Sequence, residues 1–244
     1  MSPRTEFYQL FLDDRLNYSS GYFEHDDVSL DHAQQAKTAA VLTRCDLSPG
    51  LRLLDIGCGW GSLLWTAARQ YGVHATGITT DRHQYAYLLD RLTAEPLDPP
   101  VDVRLQAWED YREPTDRIVC VNAFENFADK PAFLRRCADL LSPSGRMVMV
   151  CVTADRPVFR VMPKQTVVDT ARSIGFEVEV SPDLGHHYAR TLDHFGTRLE
   201  QSRSAALEVV DEAYLDRKIR YFATCAGLLR TGQNQMHEFT FTLR

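Results

Sequence analysis

The spacing of apolar positions changes along this chain. Near the N-terminus Phe7, Leu10 and Phe11 recur three and four residues apart, which predicts a helix over Arg4 to Asp14. A second helix is predicted over Ser29 to Cys45, and Ser48-Pro49-Gly50 ends this lead-in. Short apolar runs then alternate with helical stretches. Strands are predicted over Arg52 to Ile56, Val73 to Thr79, Val101 to Gln106, Ile118 to Asn122, Arg146 to Val152 and Phe176 to Val180. Helices are predicted over Ser62 to Tyr71, Arg82 to Leu92, Phe133 to Leu141 and Val167 to Ile174, the last ended by Gly175. Pro96 to Pro100 reads as a surface loop and Ser142-Pro143-Ser144-Gly145 as a turn. His187 to Leu229 reads as mainly helical, and Gln235 to Leu243 as a closing strand. No internal repeat or low-complexity tract interrupts the pattern.

Strands alternating with helices predict an α/β fold with a mostly parallel sheet and helices on both faces. The count is seven strands in one domain spanning 1–244. Its parts are a helical lead-in (1–47), a Rossmann-like core (48–182), a helical insertion (183–232) and the final strand (233–244). Lead-in and insertion together predict a cap over the carboxyl ends of the strands, the edge at which open α/β sheets bind ligands. A cap there excludes water and selects what enters.

The first predicted strand ends in Leu53-Leu54-Asp55-Ile56-Gly57-Cys58-Gly59-Trp60-Gly61, and a helix follows at once. Glycine has no Cβ, so such a turn lets a nucleotide-like ligand lie against the backbone. The spacing G-x-G-x-G, with an acid two positions before the first glycine, departs from the dinucleotide fingerprint. It is the pattern usual in S-adenosylmethionine (SAM) methyltransferases. Here Asp55 would orient the turn, and Gly57 and Gly59 would admit the amino-acid half of the cofactor.

Composition narrows the partners. A net charge of -6 argues against a nucleic-acid footprint, which needs a clustered basic face. The six cysteines include no C-x-x-C pair, so they read as small buried hydrophobes and point to a reducing cytoplasm. Met1 to Leu10 is too polar for a signal peptide, and no apolar run approaches a membrane span. A soluble cytoplasmic protein with no metal and no stable membrane insertion is expected.

Individual residues suggest chemistry. No carboxylate ends the second strand, so Thr79, Asp81 and Gln84 are the candidates for ribose hydroxyls. Trp108 and Glu109 follow the third strand, where an indole face could stack on adenine and a carboxylate hold its amine, although a lone Trp also suits a core. The fourth strand runs into Asn122-Ala123-Phe124-Glu125-Asn126-Phe127. A carboxylate between two phenylalanines is desolvated and its pKa raised, which makes Glu125 a candidate general base or cation stabiliser; capping a helix is its alternative. The aromatic loop Tyr18 to Phe23, with Tyr221 and Phe222, could line an apolar acceptor pocket and stabilise positive charge, or pack the cap. His186-His187 suits a turn better than a metal site.

Four segments taken together resemble one family. Tyr18-Ser19-Ser20-Gly21-Tyr22-Phe23, Leu54 to Gly61, Ala123 to Phe127 and His187-Tyr188-Ala189-Arg190-Thr191-Leu192 look like the cyclopropane fatty-acid and mycolic-acid synthase family of SAM-dependent methyltransferases. The match runs in order along nearly the whole chain. It implies SAM as cofactor and S-adenosylhomocysteine (SAH) as product, methyl delivery to an alkene carbon, and a carbocation that loses a proton. It also implies that Tyr18, Ser19, Gly57, Gly59, Thr79, Gln84, Trp108 and Glu109 touch the cofactor, and that Glu125 and Tyr221 help build a bicarbonate pocket.

The departures shape the expected reaction. Ser20 stands where the family has cysteine, Asn126 where it has histidine, and Cys151 where a histidine contacts bicarbonate. Losing donors weakens an anion site. The segment from Val152 to Pro163 is one short loop, Thr153 to Met162, where the family has a long cover for an acyl tunnel. A shallower pocket is expected, with a second subunit as a candidate to complete it. The expected activity is C-methylation of an alkene in a small isoprenoid-like or secondary-metabolite acceptor, apolar or prenylated. Glu125 would take the proton, and Tyr22 and Tyr221 would wall the cation. The alternatives are a cyclopropane synthase on an unsaturated acyl lipid, an N- or O-methyltransferase, and a SAM-binding protein without methyl transfer.

Overall fold

A computed structural model describes residues 5–156 and 161–244. Its elements in chain order are α1 (Thr5–Gln9), α2 (Leu30–Arg44), β1 (Arg52–Ile56), α3 (Ser62–Tyr71), β2 (His74–Thr79), α4 (Arg82–Ala94), β3 (Asp102–Leu105), β4 (Thr115–Val121) and α5 (Lys130–Leu140). There follow β5 (Leu141–Ala154), β6 (Met162–Pro163), α6 (Lys164–Ile174), β7 (Phe176–Val180), α7 (Gly185–Gln201), α8 (Arg203–Leu207), α9 (Glu212–Arg230) and β8 (Asn234–Leu243).

The sheet order is β3-β2-β1-β4-β5-β8-β7, with β6 pairing beside the end of β5. Every pairing is parallel except those of β8, which runs antiparallel to β5 and β7. The chain reverses its direction of winding at β1, between β2 and β4, so the crevice for a ligand lies at the carboxyl end of β1.

Period-two alternation sorts the strand residues onto two faces. Leu54, Ile118, Met147, Met149 and Phe239 pack on one face against Phe133 and Leu134 of α5 and Val167 and Ala171 of α6. Leu53, Ala75, Val119, Val148 and Val150 pack on the other against Val41 and Leu42 of α2, Leu64 of α3 and Leu88 of α4. A third core joins Phe7 and Phe11 to Phe195 of α7 and Leu215 and Phe222 of α9, and this is the cap. Its rings meet edge-on or tilted, with Phe11 5.5 Å from both Phe195 and Phe222.

The sheet has eight strands rather than seven, because the two-residue β6 adds to the end of β5. β5 begins at Leu141 and absorbs the expected turn Ser142 to Gly145, through a register break opposite Thr115 to Arg117 of β4. The first helix stops at Gln9. Asp13 instead folds the next residues into a turn, its carboxylate accepting from the backbone N–H groups of Arg15 and Asn17 and from the Asn17 side chain. The stretch 187–229 is three helices, broken near Ser202 and before Glu212. Residues 157–160 of the short loop after β5, and Arg4 of the first predicted helix, lie outside the described residues. No helix among the described residues is long and apolar enough to cross a membrane.

Candidate functional site

Two cavities open at the carboxyl ends of the parallel strands and share a wall. One, of about 280 Å³, lies against the turn after β1. The other, of about 490 Å³, lies between the ends of β4 and β5 and the cap helices α7 and α9. Tyr18, Asn122 and Asn126 line both.

The first cavity is built on the glycine turn. The backbone N–H groups of Gly57 and Cys58 both donate to the Ile78 carbonyl, at 3.0 and 3.1 Å, which ties the turn to the end of β2. Gly57 and Gly59 have φ of 79° and 57°, where an L side chain is strained. A Cβ on Gly57 would come within 2.6 Å of the Ala123 Cβ, whereas one on Gly59 would meet no protein atom within 4 Å. Gly59 thus leaves open space where a ligand can approach the backbone. α3 starts here without a side-chain cap, and the Ser62 hydroxyl is buried without a hydrogen-bond partner in the protein. That helix end favours an anionic group.

The wall opposite carries buried charge. Asp55 is 3% exposed and Lys37 2% exposed, and both line the cavity. Burial raises the Asp55 carboxyl and lowers the Lys37 ammonium, while each attracts the other's charged form. The Lys37 ammonium donates to Ser19 Oγ at 3.0 Å and to Asn17 Oδ1 at 3.3 Å. Such a pair offers opposite charges to a zwitterion. At the end of β2 the Thr79 hydroxyl donates to Gln84 Oε1 at 2.7 Å, and Asp81 caps α4 through the N–H groups of His83 and Gln84. Thr79, Asp81 and Gln84 all line the cavity.

The second cavity centres on Glu125. Its Oε1 accepts from the Val152 N–H at 2.7 Å and from Asn122 Nδ2 at 3.4 Å, and its Oε2 is buried with no hydrogen-bond partner among the described residues. Burial raises the carboxyl above the ordinary range, against those hydrogen bonds and the Lys130 charge. Asn122 has φ of 51°, a left-handed conformation that asparagine tolerates better than most residues. It bends the end of β4 so that Oδ1 accepts from the Ser20 N–H at 3.2 Å while Nδ2 faces Glu125. Tyr188, Tyr221, Cys225, Leu229 and Asn234 complete this cavity with Val152 and Val161. Burial pushes the Tyr188 and Tyr221 phenols upward, so both stay protonated. An acceptor here meets aromatic faces and a buried carboxylate oxygen, beside the wall of Tyr18, Asn122 and Asn126 shared with the first cavity.

The sequence-derived candidates therefore divide. Tyr18, Ser19, Asp55, Gly57, Gly59, Thr79 and Gln84 converge on the first cavity, and Glu125 and Tyr221 on the second. Trp108 and Glu109 are on neither wall. Trp108 is buried against Phe127 and Phe133, at ring distances of 5.8 and 5.4 Å, so its indole serves the core one ring behind the cavity. Glu109 is exposed, and its backbone carbonyl accepts from Arg112. Tyr22 likewise lines neither cavity. Its phenol donates to Glu238 at 3.3 Å and its ring stacks on His187. His187 in turn accepts the Phe23 N–H at Nδ1, a hydrogen-bonding role in the turn.

Sequence reading singled out neither Lys37 nor Asn122, nor Ser62, Tyr188, Cys225 and Asn234. Lys37 could have been found from helical period, because Gln34, Lys37, Thr38 and Val41 share the buried face of α2. All six cysteines are free, five of them buried. Ser20 is buried with its hydroxyl donating to the Gly21 carbonyl, and Cys151 belongs to the apolar core beside β8. Among the described residues no group of three or more His, Cys, Asp or Glu side chains could hold a metal ion.

Comparison with known proteins gives a consistent picture. A family profile described as mycolic acid cyclopropane synthetase matches residues 4–162 and 157–239. The S-adenosylmethionine-dependent methyltransferase UmaA of Mycobacterium tuberculosis is 33% identical, over 97% of this chain and 93% of that one. Cyclopropane mycolic acid synthase 3 of the same organism is 33% identical, over 96% and 92%. The crystal structure of mycolic acid cyclopropane synthase CmaA1 complexed with SAH and CTAB superposes with a TM-score of 0.92 at 31% identity, covering 97% of this chain and 93% of that one.

Proposed function

This chain belongs to the mycolic acid cyclopropane synthetase family of SAM-dependent methyltransferases, and from that premise we propose that it methylates an alkene carbon of a compact apolar or prenylated acceptor. The observation that carries the proposal is Glu125, whose buried Oε2 has no hydrogen-bond partner among the described residues and which lines a cavity sharing the wall of Tyr18, Asn122 and Asn126 with the first.

Bound SAM supplies an electrophilic methyl group on a sulfonium. We assign its amino-acid half to Gly57, Gly59, Ser19 and the Asp55–Lys37 pair, and its ribose to Thr79, Asp81 and Gln84. Tyr18, Asn122 and Asn126 stand at the junction through which the methyl passes. The alkene electrons would form the new C–C bond as the methyl–sulfur bond breaks and its electron pair stays on sulfur, leaving SAH, and positive charge would appear on the neighbouring acceptor carbon. The faces of Tyr18, Tyr188 and Tyr221 stabilise that charge and exclude water. Glu125 takes a proton from a carbon beside the cation, which restores an alkene and leaves the carboxyl neutral, and burial, by raising its pKa, makes it a stronger base for that step.

The donors around Glu125 suit proton loss to the carboxylate better than a bicarbonate. Ser20 spends its hydroxyl on a backbone carbonyl, Cys151 is a neutral thiol in the core, and a second anion would face the Glu125 carboxylate. A cavity of about 490 Å³ suits a drug-sized acceptor. The second reading is ring closure on an unsaturated lipid, and the names of the mycobacterial relatives favour it. The test is transfer of labelled methyl from SAM to two acceptor sets, prenylated small molecules and unsaturated phospholipid vesicles. Label in the first set supports the proposal, and label only in the vesicles favours ring closure on a lipid.

A further inference from the structure

The ammonium of Lys218, on the cap helix α9, donates to Tyr18 Oη at 2.6 Å. It also lies over three ring faces, 4.8 Å from Tyr18, 5.3 Å from Phe222 and 5.5 Å from Tyr221. Among the described residues no carboxylate pairs with it. A half-buried ammonium held by rings and one phenol is unusual, since desolvation opposes its charge and pulls its pKa down to about 8. What it holds is, among the described residues, the one aromatic side chain that lines both cavities.

The loop carrying Tyr18 is fixed on its other side. Lys37 holds Asn17 and Ser19, and the Gln34 amide donates to the Ser19 carbonyl at 2.6 Å. Just before it Leu16 adopts φ of 57°, a strained conformation for leucine that the Asp13 hydrogen bonds sustain. These contacts fix the backbone and leave the Tyr18 ring to be placed from the cap. Because Lys218 occupies a lone pair of the phenol oxygen, the Tyr18 O–H must point away from α9.

We propose that Lys218 is a positioning residue that ties the cap to the cofactor loop through Tyr18, so that cofactor affinity depends on a residue outside the cofactor cavity. The ammonium sets the ring as the partition between the cavities and fixes its hydroxyl as a donor. Replacing the ammonium by an apolar chain of similar length leaves the Tyr18 ring packed on Tyr8, Phe11, Phe195 and Phe222 but removes the hydrogen bond that orients its hydroxyl.

The proposal rests on the first cavity being the cofactor site. SAH binding is therefore measured by calorimetry in the wild-type protein and in Gly59→Val, which fills the open space at Gly59. Gly59→Val is expected to lose SAH; normal binding by that variant would overturn the cavity assignment and this proposal with it. Lys218→Met is expected to raise the SAH Kd about tenfold, the scale of one charge-assisted hydrogen bond, with the melting temperature within a few degrees of wild type. Lys218→Arg is expected to recover most of the affinity, and Tyr18→Phe with Lys218→Met to bind no worse than the weaker single variant. Unchanged affinity in Lys218→Met, or losses that multiply in the double variant, would overturn the proposal.

Discussion

Replacing Glu125 by Gln isolates the proton-accepting role. The amide oxygen of Gln can keep the hydrogen bonds from Val152 and Asn122, at 2.7 and 3.4 Å, so the carboxyl end of β4 stays as it is. The group that changes is Oε2, which has no partner among the described residues to lose. Burying an amide NH2 there without an acceptor costs about 1–3 kcal/mol. Removing a carboxylate that burial already disfavours offsets much of that cost. Stability should therefore change little. A positioned general base typically contributes about 10²–10⁴-fold in rate, equivalent to about 3–5 kcal/mol of barrier. We expect kcat to fall by that factor, with KM and the SAH Kd within about threefold of wild type. Stopped-time methyl-transfer assays with calorimetric binding would measure each. A kcat within about threefold of wild type, in a variant that still binds SAH, would refute the assignment of Glu125 as proton acceptor.

Three further outcomes follow from the same geometry. The acid limb of the kcat/KM profile should lie above the ordinary carboxylate range, because burial raises the Glu125 pKa and the ionised form is the active one; activity falls as pH drops through that value, and the limb should vanish in Glu125→Gln. Trp108→Phe should lower the melting temperature, since the indole packs on Phe127 and Phe133, while leaving the SAH Kd within about threefold; a large affinity loss would return Trp108 to the cofactor site. Tyr22→Phe should leave kcat within about threefold, because its phenol meets Glu238, whereas Tyr221→Phe should alter turnover from the wall of the acceptor cavity; steady-state kinetics on both separates the two roles.

The parallel core was legible because its strands are buried on both faces and bounded by turn residues. The glycine turn was legible because few sequences need left-handed φ at Gly57 and Gly59 directly after a strand. Glu125 was singled out by position, at the end of a central strand between phenylalanines, and it does line the second cavity. The packing of Trp108 on Phe127 and Phe133 was not legible, because strand-end position carries no information about which way a large ring turns. The hydrogen bond of Tyr22 to Glu238 was equally hidden, since Glu238 reaches it from β8, distant in sequence. Asn122, Lys37 and Lys218 act through contacts made across 102, 18 and 200 residues of chain, which only the folded structure brings together. β6 escaped notice because two residues have no periodicity to read.

The fate of the proton tests the central claim most directly. The purified protein is supplied with SAM carrying a fully deuterated methyl group and an accepted alkene, and the product is weighed by mass spectrometry. Our account predicts that all three deuteriums remain, because Glu125 removes a proton from the acceptor's own carbon. A product retaining only two would mean that the transferred methyl itself was deprotonated, and ring closure would replace the open C-methylation proposed here.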